Sequence, residues 1–311
     1  MNIFLAGATG AVGRALIPQL IDRGHAVTGT TRSAAKAGEL RALGATPVVM
    51  DGLDRTSVLN AVRAAEPDAI VHQMTALSGV NDLRKFEQAF AMTNRLRSEG
   101  TDHLLAAAAE MGATVIAQSY AGWPYEPVGG AAKDEDAPLM ADPPKQMRTT
   151  LEAIRHVERV VPAAGGMVLR YGGFYGPGTG LAPGGEQWDA VHARKFPVVG
   201  DGGGVWSFCH VVDAASATVL ALERPAPGAV LNVCDDEPAS VRDWLPGLAK
   251  AIGAKRPRHV PRWVGRLMGA HLVHIMCTAR GASNARAKEA LGWAPAVPNW
   301  REGFAQLSTV S

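Results

Sequence analysis

The chain has 311 residues, 47% of them hydrophobic, with 31 basic and 29 acidic side chains and a formal net charge of +2. This length can bury one large core or one core with a lobe attached, and the near balance of charge excludes a global field drawing the protein to nucleic acid or anionic lipid. No apolar run reaches the roughly 18 to 20 residues needed to span a bilayer, the amino terminus lacks the basic segment of a secretion signal, and Cys209, Cys234 and Cys277 are too few and too scattered for a disulfide framework or zinc site, so a cytoplasmic protein without membrane or nucleic-acid partners is expected.

The first element is a strand over 2–6, whose run Ile3-Phe4-Leu5-Ala6 suits a strand covered on both faces. "AGATGAVG" follows, with Gly7, Gly10 and Gly13, and then a helix over 11–23 on which Leu16, Leu20 and Ile21 recur at helical spacing. Strand, glycine turn and helix N-terminus in that order make an anion site: backbone N–H groups of the turn residues Gly7, Thr9, Gly10, Ala11, Val12 and Gly13 point outward, and the helix dipole favours a pyrophosphate. The second strand, 26–31, ends in Arg32-Ser33, where a site preferring NAD carries Asp or Glu about 20 positions after the glycines. A guanidinium there suits a 2′-phosphate, so NADP(H) is expected over NAD(H), with Lys36 one helical turn on as a second positive charge.

Further strands are expected at 46–50, 68–72, 113–118 and 166–171, separated by helices near 33–43, 54–65, 83–110 and 145–163. Such a βαβ series predicts an α/β fold with a doubly wound parallel sheet of Rossmann type, its ligands at the carboxyl ends of the strands. Beyond about 172 the texture changes to Gly- and Pro-rich loops such as "GPGTGLAPGGE" and "VVGDGGG", with a strand near 229–234 and a helix near 240–252. The expected division is a dinucleotide-binding domain over 1–171, extended by later segments near 205–234, and a smaller substrate-binding lobe formed mainly by 172–311.

The motifs together resemble the extended short-chain dehydrogenase/reductase superfamily in its NAD-dependent epimerase/dehydratase branch. The likeness runs through "VVMDGLD", "VHQMTAL", "TNRLRSEGTDHLLAAAAEMG", "VLRYGGFYGPGTG", "FCHVVDAASATVLALE" and "GASNARAKEALGWAP". It implies that Asp51, Gly52 and Leu53 meet the adenine, that Asn94 lies near the active site, that Asp213 caps a later helix, and that the long helices 83–110 and 145–163 pair in a homodimer. For His72, at the end of the fourth strand, a place beside the nicotinamide or ribose and a purely structural role stand equal.

The resemblance also implies a Tyr-x-x-x-Lys pair on the helix after the fifth strand, with Ser or Thr at that strand's end. Here "MRTTLEAIRHVERVV", aligned on Glu158, has Thr150 and Ile154 at those positions, and none of the four tyrosines has a lysine four residues later. Ser119 remains to orient a substrate oxygen, with Tyr125 or Tyr175 as proton donor and Arg148 or Arg155 as the nearest cation. Hydride transfer to or from a small hydrophobic or aromatic carbonyl/alcohol substrate is the leading expectation. An internally recycling or non-redox epimerase/dehydratase and a cofactor-sensing protein without turnover are its rivals. Phe174, Trp188 and Trp206 are expected to contact the substrate, and for His210 substrate contact and completion of a hydrogen-bonded loop stand equal; Trp263, Leu267, Met268, His271, His274 and Met276 lie in a lid-like segment, with Arg194 and Arg280 available to clamp a pyrophosphate. For His271, His274 and Cys277 packing is favoured over a metal site, because no carboxylate lies in their segment.

Overall fold

The structure, a computed structural model, describes residues 1–77 and 85–307. Five strands, β1 (Asn2–Ala6), β2 (Ala26–Thr31), β3 (Thr46–Val49), β4 (Ala69–His72) and β5 (Thr114–Tyr120), join the strands Met167–Tyr171 and Val230–Val233 in one parallel sheet of seven. From one edge the order is Val230–Val233, Met167–Tyr171, β5, β4, β1, β2, β3, with the reversal between β4 and β1. The sheet is flanked by α1 (Ala11–Asp22), α2 (Ala37–Ala42), α3 (Arg55–Ala65), α4 (Phe86–Arg95), α5 (Thr101–Met111) and α6 (Arg148–Ala163). The expected doubly wound α/β fold is therefore present. Of the helix expected over 83–110, positions 83 and 84 lie outside the described residues. The remainder is two helices joined by a π turn, Leu96–Gly100.

Alternation along each strand divides the core into two layers. Ile3, Leu5, Val71 and Ile116 pack with Leu16 and Leu20 of α1 and with the helix Val211–Glu223, whereas Phe4, Ala6, Ile70, Val115 and Ala117 pack with α3, α5 and α6. The central strands β1 and β4 are buried on both faces for that reason. A third core, around Trp244, Phe208, Tyr175, Trp300 and Phe304, holds the later chain together. That chain returns twice to the first body, adding the strand Val230–Val233 to the sheet and the helix Val211–Glu223 beside α1. Cys209, Cys234 and Cys277 are buried thiols, and among the described residues no helix is long and apolar enough to cross a membrane.

Candidate active site

A cleft of about 1150 Å³ runs across the carboxyl ends of the strands, between the sheet and the later chain. Its floor begins at the glycine turn. Gly7 has φ +94°, and a Cβ there would lie 2.5 Å from the Gln73 carbonyl oxygen, while a Cβ on Gly13 would lie 2.6 Å from the carbonyl oxygens of Gly7 and Ala8. Glycine is required at both, at the first by backbone conformation and at both by space. α1 opens at Gly10 with no side-chain cap, and the first helical hydrogen bond is donated by the Arg14 N–H to the Gly10 carbonyl at 2.9 Å. The N–H groups at the start of the helix thus face the cleft, which Gly7, Thr9, Gly10, Ala11, Val12 and Gly13 all line. This is a cradle in which the pyrophosphate of a dinucleotide fits.

Past the end of β2 the exposed Arg32 and Lys36 line the same cleft, as does Arg14 of α1. Across from them Gly52 reaches the wall but Asp51 and Leu53 do not: the Asp51 carboxylate is turned back to accept from the Leu53 N–H at 3.0 Å. His72 lies behind the wall, its Nδ1 accepting from the Met74 N–H at 3.2 Å and its Nε2 3.2 Å from the Leu96 carbonyl. Burial holds this imidazole neutral, with its pKa lowered to about 4. Asn94 is also behind the wall, donating to Thr150 Oγ1 at 3.0 Å, so Thr150 reaches the cleft and Asn94 supports it.

The expected acid–base residues require correction. Ser119 shares its parity on β5 with Val115 and Ala117, the face toward α6, and its Oγ donates to Glu158 Oε1 at 2.7 Å. Glu158 also receives Arg170 Nε and Nη2, both at 2.7 Å, in an ion pair whose side chains are only 8% and 7% exposed. Ser119 therefore belongs to a closed network outside the cleft. Tyr125 joins that network, buried and donating to Asn232 Oδ1 at 2.7 Å. Tyr175 is fully buried in the third core, edge-on to Phe208 and Phe304. Neither cation expected nearby reaches the cleft: Arg148 pairs with Asp142 at 3.0 Å, and Arg155 donates to the Met140 carbonyl.

Of the four tyrosines Tyr120 alone lines the cleft, beside Gln118 and Trp123. It is one residue from Ser119 and so on the opposite face of the strand. No hydrogen bond engages its hydroxyl among the described residues, and burial pushes its pKa up to about 12 against the pull of Arg97. Arg97, in the π turn after α4, is 4% exposed and lines the cleft, with its Nε bonded to nothing among the described residues. Sequence reasoning missed both residues. Strand parity relative to Ser119 is a signal that could have found Tyr120, whereas no periodicity announces the π turn that carries Arg97.

Across the cleft Phe174 and Trp206 are on the wall, joined by Phe196, Leu272, Met268 and Met276. Trp188 is not; it packs on the His192 ring with centroids 5.4 Å apart. His210 is not either: it caps the helix Val211–Glu223, Nδ1 accepting from the Val212 N–H at 3.3 Å. Asp213, expected as that cap, instead accepts from the backbone N–H groups of Ala296 and Val297 at 2.8 and 3.1 Å. Trp263 and Leu267 are 64% and 80% exposed on the helix that ends at Met268. Arg194, with Lys195 and Arg258, lines the later-chain side, whereas Arg280 donates to the carbonyls of Thr278 and Pro127. His274 Nε2 lies 3.1 Å from the Trp123 carbonyl, a packing contact behind the aromatic wall.

The profile of the NAD dependent epimerase/dehydratase family matches residues 3–234. Over 309 residues the chain is 46% identical to a 3-diazoavenalumate denitrifying reductase of a Streptomyces species, covering 98% of this chain and 99% of that one. It is 29% identical over 268 residues to a 4-hydroxy-2-methyl-3-oxo-4-farnesyl-3,4-dihydroquinoline-1-oxide ketoreductase of Stigmatella aurantiaca, covering 82% and 74%. Among solved structures it superposes on the UDP-glucose 4-epimerase of Thermus thermophilus in complex with NAD, with a TM-score of 0.75, 25% identity, and 99% and 98% of the two chains covered. With the glycine cradle, the strand order and these likenesses together, the chain belongs to the NAD-dependent epimerase/dehydratase family and is an NAD(P)-dependent oxidoreductase of it.

Proposed function

We propose that this protein is an NADPH-dependent reductase that directs a hydride onto the ring carbon of a small arenediazonium compound, releasing dinitrogen. One observation carries the reading: the cleft lacks the tyrosine–lysine pair that delivers a proton to oxygen, with Thr150 held by Asn94 at the first position and Ile154 packed into a buried cluster at the second. A carbonyl acceptor needs that proton, because hydride addition leaves an alkoxide. A diazonium acceptor does not. Hydride bonds to the ring carbon, the carbon–nitrogen bond breaks with its electron pair staying on nitrogen, and neutral N2 departs, so charge balances with no acid. The reductase that shares 46% of this sequence is named for denitrifying a diazo compound, which supports the same class here.

The reduced nicotinamide, when bound, supplies the hydride. The chain's part is to hold the acceptor and exclude water, and Tyr120, Trp123, Phe174, Phe196 and Trp206 offer flat apolar walls for a ring. The preference for NADPH rests on Arg32 and Lys36 just past the end of β2, with Arg14 of α1 lining the same cleft. Replacing Arg32 by Ala is expected to weaken NADPH about 10- to 100-fold, the worth of one or two charge-assisted hydrogen bonds, and to leave NADH within about twofold. Equal losses for both would remove the 2′-phosphate assignment.

A second reading, carbonyl reduction with Tyr120 as the acid, is favoured by the position of that phenol on the wall and by the ketoreductase relative. NADPH carrying deuterium at the transferable position decides between them. With 4-carboxybenzenediazonium the expected products are N2 and benzoate deuterated where the diazo group stood, formed faster than with denatured protein. NADPH oxidation by aryl aldehydes or ketones without any by the diazonium salt would give the site to the second reading.

A further inference from the structure

Arg97 presents a problem of charge that the cofactor cradle does not solve. It is 4% exposed, and burial lowers its pKa only to about 10, so it is a cation at neutral pH. A buried guanidinium without a counter-ion loses several kcal/mol of hydration, and native proteins pair such groups. No described carboxylate forms an ion pair with it. Glu158, whose charge reaches it, is already engaged by both arms of Arg170 and by the Ser119 hydroxyl. Beside Arg97 on the wall stands Tyr120, whose hydroxyl also lacks a partner among the described residues. Thr150 completes this edge of the cleft, with its position fixed by Asn94.

We infer that Arg97 and Tyr120 form a subsite for an anionic oxygen of the substrate, so that the protein takes aromatic anions, carboxylates or phenolates, rather than neutral aromatic compounds. Two donors, one charged and one neutral, converge on the cleft with nothing accepting from them, which is the complement of an oxyanion. The cofactor's own anionic groups are provided for elsewhere: the glycine turn offers a pyrophosphate cradle, and Arg32 and Lys36 follow the end of β2. The π turn gives the device its geometry. Winding the chain by one extra residue per turn between α4 and α5 brings Arg97 inward while Leu96 keeps its carbonyl against His72. An anion seated there lies with its ring among Tyr120, Trp123 and Phe174, and it offsets the positive charge of a diazonium group on the same ring.

This inference rests on the aromatic-substrate part of the proposed function but not on the reaction, and binding alone tests it. The probes are benzoate and its neutral isostere benzamide, titrated calorimetrically into protein saturated with NADP⁺. Wild-type protein is expected to bind benzoate at least about tenfold more tightly than benzamide, the worth of one charged hydrogen bond. Arg97→Gln is expected to bring the two probes within about twofold of each other with NADP⁺ affinity unchanged, and Arg97→Lys to restore part of the preference. Loss of a buried unpaired charge should leave the melting temperature of Arg97→Gln equal or higher. No preference in the wild type, or a preference that survives Arg97→Gln, would sink the subsite. A fall in NADP⁺ affinity with the preference intact would assign Arg97 to the cofactor instead. Because none of these readouts needs turnover, failure of the diazonium reaction leaves the result standing.

Discussion

Two neighbours at the end of β5 have opposite fates. Ser119 points toward α6 and enters a network in which Glu158, Arg170, Tyr125, Asn232 and Glu135 satisfy one another with hydrogen bonds of 2.7 to 3.3 Å. Tyr120 points into the cleft, beside Arg97, and neither has an acceptor among the described residues. The first group is saturated and has nothing left to offer a ligand; the second is poised to receive one. Polar residues buried in a fold cost free energy unless partnered, so a closed network reads as architecture and an open one as a binding site.

The strongest way to break this contrast is to open the closed side. Arg170→Met leaves Glu158 without its ion-pair partner in a place that is 8% exposed, and removing one partner of such a pair is expected to cost about 3–5 kcal/mol in urea denaturation. The double variant Arg170→Met/Glu158→Leu should recover most of that, since it removes both charges. Turnover per folded molecule should be unchanged in both, because neither residue lines the cleft. A loss of turnover without loss of stability would mean that the network is part of the site after all.

The same contrast explains how much of this protein was legible in its sequence. The glycine turn, the strand ends and the helix starts came through because spacing and backbone geometry dictate them: Gly7 is set by a positive φ and a carbonyl 2.5 Å from its missing Cβ, whatever its ligand. The absence of the tyrosine–lysine pair was legible for the same reason, as a matter of position on one helix. Which side chain replaced it was not. Ser119 carries the hydroxyl that a motif reading seeks, but a strand turns each successive residue to the other face, and one residue of slip moved the assignment from the cleft to the α6 side. Tyr125 and Tyr175 were drawn from the loops by chemistry alone, and tertiary packing took both into the interior. Arg97 lay hidden because a π turn is not visible as a periodicity, and because an arginine on a helix reads as a solvated charge until the neighbouring elements are in place.

A smaller effect sharpens the comparison at the strand itself. Ser119→Ala removes one hydrogen bond to a charged acceptor while Arg170 keeps Glu158 neutralised, so a loss of about 1.5–3 kcal/mol is expected. Turnover of the folded protein should stay within about twofold. A large drop in turnover with stability intact would restore the role that the motif suggested for this serine.

The smallest change in stability should come from the neighbour. Tyr120→Phe deletes a hydroxyl that bonds to nothing among the described residues, and its effect on folding is expected to fall within about 0.5 kcal/mol. Its effects on ligands separate the chemistries. If Tyr120 only helps Arg97 to hold an anionic oxygen, benzoate affinity drops a fewfold, and the maximal rate of diazonium reduction stays within about twofold of wild type, since no proton is needed at the step that expels N2. If the phenol is instead the acid of a carbonyl reductase, the maximal rate falls about 10²-fold or more with little change in substrate affinity. Its pKa of about 12 adds a further mark, for burial keeps the phenol protonated through the working range. The rate of either reaction should then show no loss from Tyr120 ionisation between pH 6 and 9, the decline arriving only as the pH approaches that value. A basic limb near pH 7 or 8 that vanishes in Tyr120→Phe would show the hydroxyl to be far more acidic than its burial allows, with Arg97 then the cation that drives it.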